Sequence, residues 1–385
     1  MWLRLALVTS LFCFVSADYE SSLAALKAMR WTITQPLGIP GFSEPPQSIA
    51  YLKPHKVGSS TVAGVFHRYA ARRNLSCFQP GVGHALEREF ERFVRLGKQE
   101  YAKTLGGEKS FLAAQHIARE GACRLCSPQL MKEWYETILQ ETPTFLTTFR
   151  FPETRVISYI GYFRLPSLSE DSAIKNAIKH YLSMAMKRTS DMPMQIDDFG
   201  FYPEKNQLGS KDAVYKQRAH EILQAFPIVL LTESTSESLV YLAVKWNWTL
   251  WDIANIPLHI YTPGEKHPRG GKRPSVKNTI HDSDVKKMID MAVLPDKPLY
   301  SLASKRLEEQ IASIPMGVFI STLSNYYTMQ RLLDDVCRHS PEKTAENNFC
   351  RWLTREDTEI DSDTMSSGKS FVGHASSVSF PGIDY

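Results

Sequence analysis

Between positions 51 and 61 the chain reads Tyr51-Leu52-Lys53-Pro54-His55-Lys56-Val57-Gly58-Ser59-Ser60-Thr61. The preceding Ser48-Ile49-Ala50-Tyr51-Leu52 is a short apolar run, which predicts a buried strand. After the turn, the residues from Ser60 to about Asn74 predict a helix. A strand, a tight Lys/Gly/Ser turn and a helix start suit an anion, because free N–H groups and the positive end of the helix dipole converge there. Gly58 permits close backbone approach, Ser59, Ser60 and Thr61 carry hydroxyl donors, and Lys56 adds charge. The loop is not a Walker A motif, since Lys56 precedes the glycine and the loop is shorter. The same letters also fit an ordinary helix N-terminus with Ser59 or Ser60 as cap.

Outward from this loop, strands alternate with helices. Phe111–His116, Thr144–Phe149 and Ile228–Thr232 read as strands. His84–Thr104, Pro128–Gln140, Pro152–Phe163, Ala213–Ala225 and Ser236–Trp246 read as helices, and Ile174, Ile178, Tyr181, Leu182 and Ala185 form another helical stripe. This order predicts an α/β fold around a central, mainly parallel sheet. The crowded Trp246, Trp248 and Trp251 read as buried. The Pro/Gly-rich basic segment His267–Lys277 reads as a mobile loop.

Composition narrows the class without naming a function. Gly and Pro total 42 of 385 residues (20 plus 22), too few for a collagen-like or wholly disordered chain. A net charge of +4 gives no whole-chain preference for nucleic acid, so an anionic ligand needs a local site. Residues 1–17 carry Arg4, an apolar run from Leu5 to Val15 and the small-residue pattern Val15-Ser16-Ala17. They read as a secretory signal peptide or a short signal-anchor, and the run is shorter than the roughly 20 residues of a spanning helix. Residues 18–47, with Pro36, Pro40, Pro45 and Pro46, read as a stem containing a short helix at Ser21–Trp31. The main domain is expected over 48–338, followed by a C-terminal extension, 339–385, whose tail is acidic, then Ser-rich and disordered.

A secretory route agrees with two glycosylation sequons, at Asn74 and Asn247. It also permits disulfides. Cys337 and Cys350 form a plausible pair, and Cys123 with Cys126 fits a local disulfide or buried thiols. No second cysteine pair or spaced histidines complete a zinc site with Cys123 and Cys126, and no metal is expected.

The loop at 52–61 resembles the phosphosulfate-binding loop of sulfotransferases, nearest the Golgi galactose-3-O-sulfotransferases, which include galactosylceramide sulfotransferase. Their strand is followed by His-Lys-x-x-Ser-Ser-Thr, matched here by His55-Lys56-Val57-Gly58-Ser59-Ser60-Thr61. A second resemblance lies at Phe145–Tyr159, an apolar strand, Arg-x-Pro, and a Ser eight residues after the Arg. It implies Arg150 and Ser158 as holders of the donor's 3′-phosphate. Weaker matches lie at Phe111–Arg119, at Val229–Glu233 with the following helix, and at Asp296–Tyr300. The resemblance implies a P-loop NTPase-like three-layer sandwich and the donor 3′-phosphoadenosine-5′-phosphosulfate, cradled by Lys53, Lys56, Gly58, Ser59, Ser60 and Thr61. It further implies His55 and Lys56 as the catalytic pair, with His116 as second candidate base. The acceptor would be a galactose hydroxyl of a glycan or glycolipid, handled in the Golgi lumen or after secretion, with membrane association only through an uncleaved N-terminus. A P-loop-like kinase and a non-catalytic glycan-binding relative are the alternatives. A kinase should show a full Walker A loop and Mg²⁺ carboxylates.

Overall fold

The computed structural model describes residues 19–78, 85–105, 109–115, 127–163, 171–186, 194–200, 212–255, 282–339, 349–350 and 353. The N-terminal run at 1–17, the loop at 267–277 and the tail beyond 354 lie outside these residues. Among the described residues, four strands form one parallel sheet: β1 (Ile49–Leu52), β2 (Leu112–Gln115), β3 (Thr144–Phe149) and β4 (Ile228–Leu231), in the order β2-β1-β3-β4. Ile49 sits opposite Leu112 on one side and Thr144 on the other. β1 is therefore an inner strand, which explains its continuous apolar burial.

Alternation along the strands divides the core in two. Ala50, Leu52, Phe145, Val229 and Leu231 join one apolar cluster, while Ile49, Tyr51, Leu146 and Leu230 join the other. Helices cover both faces. On the second face lie α1 (Tyr19–Ala28), α2 (Arg30–Thr34) and α3 (Ser59–Arg72). The first face carries α4 (Ala85–Leu96), α5 (Lys98–Thr104), α6 (Pro128–Ile138), α7 (Pro152–Phe163), α8 (Asp171–Met186) and α9 (Asp212–Ala225). Further along, α10 (Thr235–Lys245) and α13 (Met316–His339) return to the second face, and α11 (Ser283–Ala292) and α12 (Lys297–Ala312) to the first. The expected α/β class with a parallel sheet is observed.

The segment expected as a stem instead packs on the domain from Tyr19 onward. Leu23, Leu26 and Ile33 are buried in the second cluster. Backbone N–H groups of Leu37 and Glu44 donate to the carbonyls of Trp248 and Lys245. The prolines made this stretch read as open, but apolar helical residues on both sides of Met29 give it a face to bury. The expected single helix over 84–104 is two, broken at Gly97, whose φ of 76° cannot continue a right-handed helix. The three tryptophans are buried, as expected, and Trp246 and Trp248 pack with ring centroids 4.8 Å apart.

Both sequon asparagines terminate helices. Asn74 follows α3 with φ 52° and Asn247 follows α10 with φ 56°. In each case the next residue, Leu75 or Trp248, donates back to Ala70 or Ala243, closing a Schellman turn. Asn tolerates this left-handed position better than most residues. At Asn247 the side-chain oxygen also accepts the N–H of Gly38 at 2.8 Å.

The Cys337–Cys350 disulfide is present, with Cα atoms 5.4 Å apart. It ties the end of α13 to a segment whose Phe349 stacks on Trp251. The domain therefore continues past 338. Cys123 and Cys126 lie outside the described residues. No helix among the described residues is long and apolar enough to cross a membrane.

Candidate functional site

In a parallel sheet of this order, the chain leaves β1 toward one face and β3 toward the other. A crevice forms where those connections diverge, beyond the carboxyl ends of the strands. Here the two loops at that point are 53–58 after β1 and Arg150-Phe151 after β3. The two strongest sequence motifs therefore meet at the topological switch point, although about 90 residues separate them.

The loop after β1 turns sharply. Lys56 has φ 61° and Gly58 has φ 69°, both left-handed. Gly58 is the residue preceding α3, and no side chain among the described residues caps that helix. Neither Ser59 nor Ser60 acts as the cap, contrary to the plainer reading of the sequence. Ser59 is the first helical residue, and its buried hydroxyl donates to the Pro54 carbonyl at 2.9 Å, closing the loop on itself. Among the described residues the first-turn N–H groups thus receive no capping side-chain oxygen, the condition under which a helix start binds an anion. Gly58 is exposed at the mouth, and Ser60 and Thr61 are half-buried beside it. Lys53 is buried at the strand end.

Thr232, just after β4, pins this loop to its neighbour. Its hydroxyl oxygen lies 2.5 Å from the Val57 carbonyl and 3.2 Å from the Phe149 carbonyl. A Cβ placed on Gly58 would stand 3.3 Å from the Thr232 methyl carbon. Only glycine satisfies both the backbone angle and this approach.

Arg150 reaches across the crevice, donating from Nη1 to the Lys56 carbonyl at 3.1 Å and from Nε to Thr154 at 3.1 Å. It makes no salt bridge among the described residues, so the surface ion pair that would be its ordinary explanation is not what holds it. Burial pushes its guanidinium below the usual value; Glu233 pulls the other way, and the nearby Arg155 lowers it further. A dianion placed here would relieve both the desolvation and the repulsion. Lys56 extends its ammonium over the Tyr162 ring, 3.6 Å from the centroid. Thr154, Ser158 and Tyr162 lie four residues apart on α7, so they share one face. Arg150 touches the first and Lys56 the last, which sets half-buried Ser158 between them.

His55 is buried and tightly held. Its N–H donates to Asp198 Oδ2 at 3.1 Å, and its Nδ1 lies 3.0 Å from Asp198 Oδ1. Arg155 Nη2 donates to Asp198 Oδ2 at 3.0 Å, and Arg155 Nε donates to the His55 carbonyl at 3.1 Å. Asp198 belongs to a 3-10 turn, Gln195–Phe199, which links both loops because Gln195 Oε1 also accepts the Arg150 N–H at 3.0 Å. That turn is held in its own place by buried Asp296, which accepts the N–H groups of Gln195 and Ile196 at 2.8 and 2.9 Å. Glu233 accepts the Phe151 N–H at 2.8 Å and the Tyr300 hydroxyl at 3.2 Å. The weaker motif segments at 229–233 and 296–300 thus supply struts for the site.

The fold gathers His55, Lys56, Gly58, Ser60, Thr61, Arg150 and Ser158 around one crevice, with Lys53 and Ser59 inside the loop. His116 lies outside the described residues. The sequence did not single out Asp198 or Tyr162, and Thr232 stood in a quoted motif without a role. It quoted Arg155 in a motif but gave it no role. Arg155, five residues after Arg150, could have been weighed from its position on the helix. Nothing local marks Asp198, which contacts a residue 143 positions away.

Residues 2–262 match the family model described as galactose-3-O-sulfotransferase. The human protein galactose-3-O-sulfotransferase 2 is 27% identical over 224 residues, 56% of this chain and 52% of that protein. The protein of the same name from Sus scrofa is 25% identical over 228 residues, covering 57% of this chain and 54% of its own. That from Mus musculus is 27% identical over 229 residues, with 56% and 54% covered. The chain spans about half the length of the curated relatives it matches. No solved structure matches it.

Proposed function

The chain belongs to the galactose-3-O-sulfotransferase family, and on that premise we propose that it moves a sulfuryl group from 3′-phosphoadenosine-5′-phosphosulfate to a galactose 3-hydroxyl. The acceptor sugar would be carried by a glycolipid or glycoprotein glycan. The observation that carries this reading is the meeting of Lys56, Arg150 and Ser158 along one face of α7 at the mouth of an uncapped helix. Two anionic groups on one small ligand need donors at two places, and Arg150 with Ser158 on one side and the opening of α3 with Lys56 on the other would supply them.

Arg150 and Ser158 would hold the 3′-phosphate, one by its charged fork and one by its hydroxyl. The N–H groups opening α3, with Ser60 and Thr61, would hold the 5′-phosphosulfate. The donor supplies an activated sulfuryl group on a phosphate leaving group. As that sulfur–oxygen bond breaks, Lys56 meets the charge on the departing phosphate oxygen. His55 takes the proton of the attacking sugar hydroxyl. A parallel sheet with a tight loop at the carboxyl end of β1 suits this work, because the chemistry asks mainly for alignment and charge stabilisation. The Cys337–Cys350 disulfide and the apolar N-terminal run favour a lumenal site of action in the secretory pathway, at the Golgi or beyond.

The test is calorimetric binding of 3′-phosphoadenosine 5′-phosphate to the wild type, Lys56→Ala and Arg150→Ala. A charge-assisted bond contributes about 1.5–3 kcal/mol, so each variant should bind roughly 10- to 150-fold more weakly. Equal affinity in all three proteins would remove the site assignment. Radiolabelled sulfate transfer to a panel of galactosyl glycans and glycolipids then reads the reaction. Donor binding with no transfer to any acceptor would favour the non-catalytic glycan-binding alternative.

A further inference from the structure

We infer that Asp198 is a positioning residue which fixes the tautomer of His55, and that it does so because its two oxygens receive unequal numbers of donors. This deepens the sulfotransferase reading above and rests on it for the role of His55 as base. Asp198 Oδ2 accepts two N–H groups, the His55 backbone N–H at 3.1 Å and Arg155 Nη2 at 3.0 Å. Asp198 Oδ1 faces His55 Nδ1 at 3.0 Å. A carboxylate only accepts, so the imidazole must donate from Nδ1. In the neutral ring the lone pair then sits on Nε2, the nitrogen that can take a proton. The same carboxylate would steady the imidazolium once the proton arrives, as acidic partners of catalytic histidines do elsewhere.

Arg155 sets which oxygen goes where. Its Nε holds the His55 carbonyl at 3.1 Å while its Nη2 holds Asp198, so one guanidinium orients both the loop and the carboxylate. All three side chains are buried, which makes the unequal donor count decisive, because a mismatched polar contact there has no water to turn to. Replacing Asp198 by Asn keeps the shape and inserts one amide. The amide oxygen will take the side with two donors, since the opposite orientation would press an NH2 against two N–H groups. The NH2 then faces Nδ1, which must become the acceptor, and the proton moves to Nε2. An isosteric substitution should thus invert the ring's polarity without emptying the site.

The experiment is a long-range proton–nitrogen correlation spectrum of the full chain with 15N-labelled histidine, at a pH where the ring is neutral, with His55 assigned by its loss in His55→Gln. It is combined with kinetics of sulfate transfer and with 3′-phosphoadenosine 5′-phosphate binding. Wild-type His55 should be protonated on Nδ1 and bare on Nε2. In Asp198→Asn the two should exchange, kcat should fall by about 100-fold or more, and nucleotide affinity should stay within about 2-fold. Proton on Nε2 in the wild type would overturn the inference, and needs no variant to fold. An unchanged tautomer and kcat in a folded Asp198→Asn would overturn it as well. A wild type with the expected tautomer but no sulfate transfer would count against the sulfotransferase reading, while supporting the tautomer assignment.

Discussion

Replacing Gly58 by alanine should damage both the fold and the loop at 53–58, by two separable routes. The first is the backbone. Gly58 has φ 69° and ψ 14°, where a residue with a Cβ costs roughly 1–2 kcal/mol. The second is contact. The new Cβ would stand 3.3 Å from the Thr232 methyl carbon. Thr232 cannot swing away freely, because its hydroxyl is held against the Val57 and Phe149 carbonyls at 2.5 and 3.2 Å. Relaxing by a few tenths of an ångström against those bonds adds about 0.5–1 kcal/mol. The sum is about 1.5–3 kcal/mol, or a melting temperature lowered by roughly 3–10 °C. Thr232→Ser deletes the methyl and keeps the hydroxyl, so it separates the two routes. Four proteins, wild type, Gly58→Ala, Thr232→Ser and the double variant, should be compared by denaturant melts and by nucleotide calorimetry. The cycle should show about 0.5–1 kcal/mol of coupling, with the backbone part of the loss remaining in the double variant. Additive effects would mean that Thr232 does not cover Gly58. A Gly58→Ala protein as stable as the wild type and equal in nucleotide affinity would refute the left-handed loop itself.

Two further outcomes concern the second face of the domain. Burial pushes the Asp252 carboxyl upward, but Arg72 and Arg73, with the Thr249 N–H, outweigh it and hold it below the usual carboxylate value. A depressed folded value stabilises above the unfolded value of about 4 and is lost as pH falls below it. Asp252→Asn should therefore lose about 3 kcal/mol at neutral pH and show a flatter decline on acidification, read by melts from pH 7 to 3. Replacing Cys337 and Cys350 by serine opens a loop of sequence separation 13, worth about 3 kcal/mol in chain entropy. Limited proteolysis should then cut near residue 349 first and tryptophan emission should shift, because Phe349 stacks on Trp251 at 5.1 Å. Unchanged melting and cleavage would show the crosslink to be idle.

The sheet was legible because its strands are short apolar runs between clear breaks, and inner parallel strands need such runs on both faces. Strands expected at 144–149 and 228–232 are observed as Thr144–Phe149 and Ile228–Leu231. Lys56, Arg150 and Ser158 were legible as members of two local motifs. Less was visible where a local signal had two meanings. Prolines between 36 and 46 read as an open stem, yet apolar helical residues before them were enough to dock the segment on α13. A helical stripe ran through Gly97, and only the backbone angle there shows the break. Ser59 and Ser60 looked like caps, but the left-handed Gly58 takes the position before the helix and turns the Ser59 hydroxyl inward.

By itself the amino-acid sequence determined the order of the strands and the place and residue types of the loop after β1, since each depends on residues within one or two turns of one another. Tertiary structure alone decided which distant groups serve that loop. Asp198 reaches His55 across 143 residues and Thr232 reaches Val57 across 175, and no local spacing encodes either. Their places follow from strand order, because β3 and then β4 follow β1 on the same side and all four parallel strands end at the same end of the sheet. A parallel sheet collects its loops at one end, and the crevice at that end is where separate stretches of sequence first become one site.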